Sequence, residues 1–271
     1  MPKLKNTIEI LKLLPKSNCR DCYEKTCLAF AAAVFKGQRQ LSECPHLKPE
    51  VVEAYGGKVE KRKTIEEDQE AALASLKEQV VNTDLARAAE NVGGRFANDR
   101  LTLKVFGKDF SIDTQGRLFS DIHVNPWVVI PFLSHLLTSD GSPPTGTWVP
   151  FRELENGRPW QGLFGQRCEK PLKKVADTYT DIFEDLIDLF NGKKVAQHYQ
   201  SDISLVLHPF PKIPMLICYW KPDDGLASDL NLFFDKGVEK QLAIGGVFGL
   251  GTGLVRMFEK ISLRHGSGIV T

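Results

Sequence analysis

The sequence predicts an α+β protein in which a small helical domain precedes a larger domain of helices and antiparallel strands. Two observations lead to this prediction. Four of the six cysteines fall between positions 19 and 44, which sets the first segment apart from the rest. Beyond that segment, stretches with helical spacing of apolar residues are interspersed with short stretches typical of strands. At 271 residues the chain is long enough for two domains of ordinary size.

The N-terminal segment carries two predicted helices. The first 50 residues hold nine Lys/Arg and five Asp/Glu, a local net charge of +4 that leaves −3 for the remainder. Apolar residues on one face predict a short helix that ends at Pro15. A second helix is predicted from the N-cap Thr26 to the C-cap Gly37. The loop between these helices contains two of the cysteines.

A polar connection separates the two predicted domains. Gly56-Gly57 and the basic run at 61–63 are typical of an exposed segment. We therefore expect a cluster-binding domain at 1–48, a linker at 49–68 and the α+β domain at 69–271.

The first half of the larger domain predicts a helix, a hairpin and a second helix. Residues 65–91 have helical spacing, and 101–106 alternate as a strand. The turn 107–109 leads into a second strand at 110–113. Asn followed by Pro starts a helix at 125–137.

The second half predicts a long helix, a strand pair and a C-terminal helix. Residues 169–190 have apolar positions at helical spacing and end at Asn191-Gly192. Strands are expected at 202–208 and 214–220, around a Pro-rich elbow, and a last helix near 246–260.

The composition excludes several classes of protein. With 42% hydrophobic and 25% charged residues, the chain is typical of soluble globular proteins. No apolar run approaches the roughly 18–20 residues of a membrane helix. The net charge of +1 lacks the basic excess of nucleic-acid-binding proteins, and the N-terminus lacks the apolar core of a signal peptide. We therefore expect a cytoplasmic protein with no membrane span and no nucleic-acid partner.

The clustered cysteines predict a metal centre. Cys19, Cys22, Cys27 and Cys44 have the pattern C-x2-C-x4-C-x16-C, and Pro45 follows the last. An iron–sulfur cubane needs four thiolates, and one loop can supply three while a distant segment supplies the fourth. Cys27 is expected in the first turn of the second helix, where free N–H groups and the helix dipole stabilise a thiolate. The pattern therefore predicts a [4Fe–4S] cluster on these four residues.

Structural zinc is the alternative to a cluster, because zinc also takes four cysteines. Zinc sites usually pair two C-x2-C units, whereas this chain has one. Lys16, Arg20 and Lys25 flank the cysteines and would offset the negative charge of a four-thiolate cluster.

The cysteine segment resembles a known domain. Residues 7–48 are similar to the four-cysteine iron–sulfur domain at the N-terminus of the corrinoid iron–sulfur protein large subunit, and to a module in B subunits of membrane-linked ferredoxin-oxidising complexes. That family usually has Gly after the second cysteine, where this chain has Tyr23. The resemblance implies a one-electron relay, which in the corrinoid protein serves reductive reactivation of cobalt. The matching segments are Leu14-Pro15-Lys16-Ser17-Asn18-Cys19, Thr26-Cys27-Leu28-Ala29-Phe30-Ala31 and Cys44-Pro45.

The rest of the chain looks like an uncharacterised domain family found behind this cluster module in anaerobes, on the strength of the segment 148–154 and the Pro-rich elbow. That resemblance implies no reaction. Two histidines are candidate corrinoid ligands. His123 follows Asp121 as in the Asp-x-His motif of some corrinoid proteins, but Pro126 stands where that motif has Gly, so an ordinary loop residue is favoured. His208 is the second candidate.

Other residues suggest a pocket more weakly. Trp148 and Arg152 could stack on or anchor a planar or phosphorylated ligand, although a core tryptophan beside a surface ion pair is favoured. The glycine run at 245–253 lacks the Lys-Ser/Thr of a phosphate-binding loop, which favours close helix packing.

The two remaining cysteines lie in the larger domain. Cys218 is expected in the core, and Cys168, beside Arg167, is a weak candidate for a reactive thiol.

These residues leave three functional hypotheses open. The first is an electron-transfer protein whose larger domain binds a cofactor or partner, with a corrinoid of anaerobic one-carbon metabolism as the best candidate. The second is an iron–sulfur oxidoreductase acting on a small substrate near Trp148 and Arg152. The third is an interaction module held together by a cluster or by zinc. The expected partners are a redox protein or a corrinoid, and the sequence leaves open whether the chain is an enzyme.

Overall fold

The computed structural model describes residues 4–57, 65–122 and 124–266. It divides into two compact units, Met1–Gln69 and Glu70–Thr271. Helices and two antiparallel sheets make up the described residues, so the predicted α+β class is confirmed. Among the described residues, no helix is both long and apolar enough to cross a membrane.

The first unit contains the two predicted helices. Thr26 caps the second helix, where its hydroxyl accepts a hydrogen bond from the Ala29 N–H at 3.0 Å. A further short helix lies in the segment predicted to be a linker and begins with a proline at its first position. The helices are α1 (Thr7–Leu13), α2 (Cys27–Phe35) and α3 (Pro49–Tyr55), with a single 3₁₀ turn at Leu41–Glu43.

The predicted helix at 65–91 is two helices, α4 (Ile65–Val81) and α5 (Leu85–Val92). The chain leaves the helical conformation after Val81 because Asp84 caps a new helix, accepting hydrogen bonds from the N–H groups of Ala86 and Arg87. Helical spacing of the apolar residues continues across this break, which is why the sequence suggested one helix.

The first sheet is a four-stranded antiparallel meander in the order β1-β2-β3-β4. The predicted hairpin is confirmed as the β2–β3 pair. Its turn is Phe106-Gly107, both left-handed with φ of 47° and 77°, so β3 starts two residues earlier than predicted. The strands are β1 (Arg95–Ala97), β2 (Arg100–Val105), β3 (Lys108–Asp113) and β4 (Leu118–Ser120).

The second sheet has five antiparallel strands in the order β5-β9-β8-β7-β6. Its central hairpin is the predicted pair, and the Pro-rich elbow is the turn between β7 and β8. Pro209 and Pro214 lie inside those strands. The strands are β5 (Trp148–Pro150), β6 (Lys193–Lys194), β7 (Ile203–Phe210), β8 (Ile213–Trp220) and β9 (Asp229–Asp235).

The helices of the second unit depart from prediction at a second place, beyond the break between α4 and α5. The predicted helix at 169–190 is two helices that separate at Tyr179, whose φ of −139° is not helical. The hydroxyls of Thr178 and Thr180 donate to main-chain carbonyls four residues earlier, and such side-chain bonds compete with helix continuation. The helices are α6 (Pro126–Thr138), α7 (Gln161–Phe164), α8 (Lys170–Thr178), α9 (Ile182–Phe190) and α10 (Ile244–Gly266), and a π-helical turn, Gly165–Glu169, joins α7 to α8.

The glycine run at 245–253 lies within α10 and allows close packing, as the sequence favoured. A Cβ atom on Gly251 would lie 2.9 Å from the Phe164 ring and 3.0 Å from the Cys168 sulfur, and a Cβ on Gly249 would lie 3.0 Å from Pro131. The run therefore serves the contacts of α10 with α6 and with the π-helical turn.

Candidate iron–sulfur site

The loop before α2 has an unusual backbone. Four of its non-glycine residues are left-handed, namely Lys16, Asn18, Arg20 and Tyr23, with φ between 54° and 70°. Such conformations are uncommon outside glycine and asparagine, and here they coil the loop tightly. Tyr23 occupies the position where the resembling family has glycine, and its left-handed φ of 62° explains that preference. The Tyr23 side chain is 89% exposed, so its bulk meets solvent.

Asn18 links this loop to helix α2. Its side-chain oxygen accepts a hydrogen bond from the Cys27 N–H at 2.8 Å, at the first position of the helix. Asn18 was not among the predicted site residues. Asparagine suits both a left-handed backbone and helix capping, and this preference could have drawn attention to Asn18. The sequence alone does not show that its side chain contacts Cys27.

The fourth cysteine is positioned by the 3₁₀ turn at Leu41–Glu43. The Cys44 N–H donates to the Leu41 carbonyl at 3.2 Å. The Glu43 carboxylate accepts from the Gln40 N–H and from Arg39, both at 2.7 Å, which fixes the start of the turn.

The four cysteines lie near one another and are free thiols. Cys22, Cys27 and Cys44 are buried in the core of the first unit, with 8%, 7% and 6% of their surface exposed, whereas Cys19 is exposed. The pKa of the Cys44 thiol is raised, first by burial and then by the proximity of the other three cysteine thiols. The Cys44 sulfur is therefore close enough to the sulfurs of Cys19, Cys22 and Cys27 to interact with them electrostatically, although it is distant from them in the sequence.

The spacing of the sulfur atoms bears on the kind of metal centre. Among the described residues, no three of the four cysteine sulfurs lie within 4.8 Å of one another. Four thiolates around a single zinc ion, with Zn–S bonds of about 2.3 Å, would lie roughly 3.8 Å apart. The cysteines are thus more widely separated than a mononuclear zinc site requires.

Asp21 and His46 form an unpredicted pair beside Cys19. The His46 Nε2 and the Asp21 Oδ2 lie 2.6 Å apart. The pKa of the Asp21 carboxyl is lowered by its hydrogen bond with His46 and then by one with Cys19. One ligand atom from each of these three residues lies within 4.8 Å of the other two. Cys19 belongs both to this group and to the four-cysteine set. The group therefore cannot bind a separate metal ion when Cys19 is a ligand of the cluster.

Three exposed cations neighbour the cysteines in the sequence. Lys16, Arg20 and Lys25 are exposed, and within the part of the chain that the structure describes they have no ion-pair partner. The nearby Glu24 carboxylate is instead 3.7 Å from Arg39.

The remaining predicted residues do not form one pocket. His123 lies outside the described residues. Trp148 is half-buried in β5 and packs against the buried cluster of Val206, Leu216, Cys218 and Phe233 on the second sheet. Arg152 is exposed, 3.9 Å from Glu153. The unit contains cavities of about 330 and 310 Å³, and His208 lines the smaller one, while neither Trp148 nor Arg152 lines either.

The two cysteines of the second unit are fully buried. Burial raises the pKa of the Cys168 thiol to about 12, and it also raises the pKa of the Cys218 thiol. Both thiols are therefore protonated and shielded near neutral pH, which removes Cys168 as a candidate reactive thiol.

Comparison with protein-family models gives two matches. The model described as "Domain of unknown function (DUF3786)" matches residues 84–257. The model described as "Putative Fe-S cluster" matches residues 14–46, the segment that holds the four cysteines, and this match supports an iron–sulfur cofactor. No solved structure matches the chain.

Characterised relatives match mainly the N-terminal segment. The corrinoid/iron-sulfur protein large subunit of Moorella thermoacetica is 45% identical over 47 residues, which is 17% of this chain and 10% of that protein. The acetyl-CoA decarbonylase/synthase complex subunit gamma of Methanocaldococcus jannaschii is 40% identical over 47 residues, with the same coverage. Subunit gamma 1 of that complex from Methanosarcina thermophila is 31% identical over 106 residues, 39% of this chain and 20% of that protein. The resemblance predicted from the cysteine motif is therefore confirmed, and this chain spans a fifth or less of each relative's length.

Proposed function

This chain belongs to the DUF3786 family of domains of unknown function, and we propose that it is an electron-transfer protein with a [4Fe–4S] cluster held by Cys19, Cys22, Cys27 and Cys44. The observation that carries this proposal is the convergence of four free thiols from two sequence segments within the part of the chain that matches an iron–sulfur family model. The match to an iron–sulfur family model, together with the single C-x2-C unit, favours a multinuclear cluster over a single zinc ion.

When bound, the cluster would supply single-electron transfer. The protein's own residues would decide where electrons enter and leave. The burial of Cys22, Cys27 and Cys44 shields three corners of the site from water, whereas the exposed Cys19 leaves one edge open to a partner. The Asp21 carboxylate within 4.8 Å of Cys19 would favour the oxidised form of the cluster, whereas the exposed cations Lys16, Arg20 and Lys25 would favour the more negative, reduced form.

A corrinoid is the electron acceptor that we propose. The relatives of the cysteine segment include a protein named for both a corrinoid and an iron–sulfur centre, and subunits of acetyl-CoA decarbonylase/synthase complexes. These names support a role in anaerobic one-carbon metabolism with protein partners. Ligand pockets of about 300–1,000 Å³ hold drug-sized molecules, and a corrinoid is much larger. Two cavities in the described part of the α+β unit, of about 330 and 310 Å³, are too small for it, so the proposed contact is with the surface of that part.

Cysteine substitutions test the cluster. After anaerobic reconstitution of the full chain, we expect Cys→Ala changes at positions 19, 22, 27 and 44 each to lower the bound iron and sulfide to less than half. Alanine at Cys218 is the matched control, because that thiol is buried in the other unit, and it should leave both contents unchanged. Retention of the full cluster by any of the first four variants would remove that residue from the ligand set.

Titration with a corrinoid tests the acceptor. We expect hydroxocobalamin added anaerobically to the reconstituted protein to show a shifted visible spectrum and to remain with the protein on gel filtration. An unshifted spectrum with no retained cobalt would rule out corrinoid binding by this chain. That result would not affect the cluster proposal, which the cysteine variants test separately.

A further inference from the structure

The smaller cavity of the α+β unit lies where three turns meet. Its walls come from Gly107 in the β2–β3 turn, Phe190 and Asn191 at the end of α9, and Pro211 in the β7–β8 turn. Side chains of three strands complete it, Lys104 of β2, Lys193 of β6 and His208 of β7. From this lining we infer that the cavity is a binding site for a small organic anion, a carboxylate or phosphate group carried on an apolar body, with Lys193 as its counter-ion.

The walls are fixed by the backbone. The Phe106 N–H donates to the Pro209 carbonyl at 3.2 Å and so ties the β2–β3 turn to strand β7. Asn191 is left-handed, and a Cβ atom on Gly107 would lie 3.0 Å from the Asn191 Cβ, so the turn and the helix end are in close contact. A cavity formed by such contacts exists before a ligand arrives, which lowers the entropic cost of binding.

One of the two lysines that line the cavity has no counter-ion among the described residues. The Lys104 ammonium is 3.0 Å from the Asp109 carboxylate. Lys193, by contrast, has no hydrogen bond or ion pair with its side chain in the described ranges. An anion in the cavity would supply the missing partner.

The His208 ring adds a second polar contact. It is half-buried and, over the residues that the structure covers, has no hydrogen-bond partner. Burial, and then the neighbouring Lys193 charge, lower the pKa of His208. The ring is therefore neutral near pH 7, and one of its nitrogens carries a proton that it can donate to an anionic oxygen.

The size and the apolar walls define the rest of the ligand. A cavity of about 310 Å³ is at the lower end of the range for small-molecule pockets. Phe190 and Pro211 offer apolar contact to a ring or short chain, while Lys193 and His208 would hold the anionic end. A small aromatic or aliphatic acid fits this combination. The site is independent of the cluster and of the proposed corrinoid.

Calorimetric titration of the full chain tests the site with benzoate, phenyl phosphate, inorganic phosphate and benzylamine as probes. Benzoate or phenyl phosphate should bind and shift the His208 ring resonances in NMR spectra, and whichever binds more tightly identifies the anionic group. Inorganic phosphate should bind more weakly than phenyl phosphate, because it lacks the apolar body, and benzylamine should not bind.

Two lysine variants of equal net charge distinguish binding in this cavity from nonspecific electrostatic attraction of anions to the protein surface. Lys193→Gln should weaken benzoate or phenyl phosphate binding at least tenfold. Lys194→Gln, at the neighbouring position of β6 that does not line the cavity, should leave the affinity unchanged. The inference would be overturned by the absence of binding to the unchanged protein, by equal affinities in the two variants, or by benzylamine binding as tightly as benzoate.

Discussion

Asn18 shows how a single polar residue can set the position of a metal ligand. Its backbone has a left-handed φ of 54°, and its side chain caps helix α2 at Cys27. Both roles suit asparagine, because it tolerates the left-handed region better than residues other than glycine and is among the best helix caps.

Substitution of Asn18 tests this positioning role. Asn18→Ala removes the acceptor for the Cys27 N–H and places alanine in a left-handed conformation, so we expect a loss of about 1–3 kcal/mol from the stability of the first unit. Loss of the reconstituted cluster to a chelator should be correspondingly faster. Asn18→Asp keeps an acceptor oxygen and should lie close to the unchanged protein. Equal rates for all three proteins would show that the hydrogen bond does not support the site.

His135 makes the α+β unit sensitive to acid. It is fully buried, its ring stacks on Phe210 at 4.9 Å, and its Nδ1 lies 3.0 Å from the Gln241 carbonyl. Its Nε2 has no hydrogen-bond partner among the described residues. Burial is the main cause that lowers the pKa of His135 to about 4, so the folded protein keeps this ring neutral.

The depressed pKa predicts a definite pH window. An unfolded histidine takes up a proton near pH 6.5, whereas the folded one does so near pH 4. The stability is therefore intact above about pH 6.5 and falls as the pH drops toward 4, by about 3 kcal/mol in total. Urea unfolding at several pH values should show this loss in the unchanged protein, and His135→Gln should reduce it. A loss of the same size in the variant would assign the effect to other groups.

At the scale of elements, α10 depends on glycines for its contacts. Gly251→Ala would force a methyl group against Phe164 and Cys168, both fully buried, so we expect a net loss of about 1–2 kcal/mol after the gain in helix propensity. Gly245 is exposed, and nothing lies within 4 Å of a Cβ atom there. Gly245→Ala should therefore be neutral or slightly stabilising in the same denaturant measurement. Equal losses would show that the effect comes from the helix backbone and not from packing.

The elements that the sequence predicts best are those with local signals. Asn125 followed by Pro126 predicts the start of α6, and Thr26 predicts the start of α2, because capping involves residues only two or three positions apart. The breaks in the helices predicted at 65–91 and 169–190 were missed, since the apolar spacing continues across them. Strand β9 was also missed, because it is defined by pairing with β5 and β8.

At the scale of the whole molecule, each unit has its own core. The first surrounds the buried cysteines with Ile10, Leu14 and Phe30. The second is a larger aromatic and aliphatic core shared by the helices and both sheets. The cysteine motif predicts the candidate metal centre because its spacing is local. Asn18 and the Asp21–His46 pair were not predicted as site residues, and His208 was predicted as a candidate corrinoid ligand but without the other residues of its cavity. Each arrangement depends on contacts between residues that are separated in the chain.

The central claim is that the first unit holds a redox-active [4Fe–4S] cluster. The most direct test is to measure iron, acid-labile sulfide and zinc in the full chain after anaerobic isolation. We expect about four iron atoms and about four sulfides per chain, with no stoichiometric zinc. One zinc ion per chain without sulfide would contradict the claim, because a redox-inert ion in place of the cluster cannot transfer electrons.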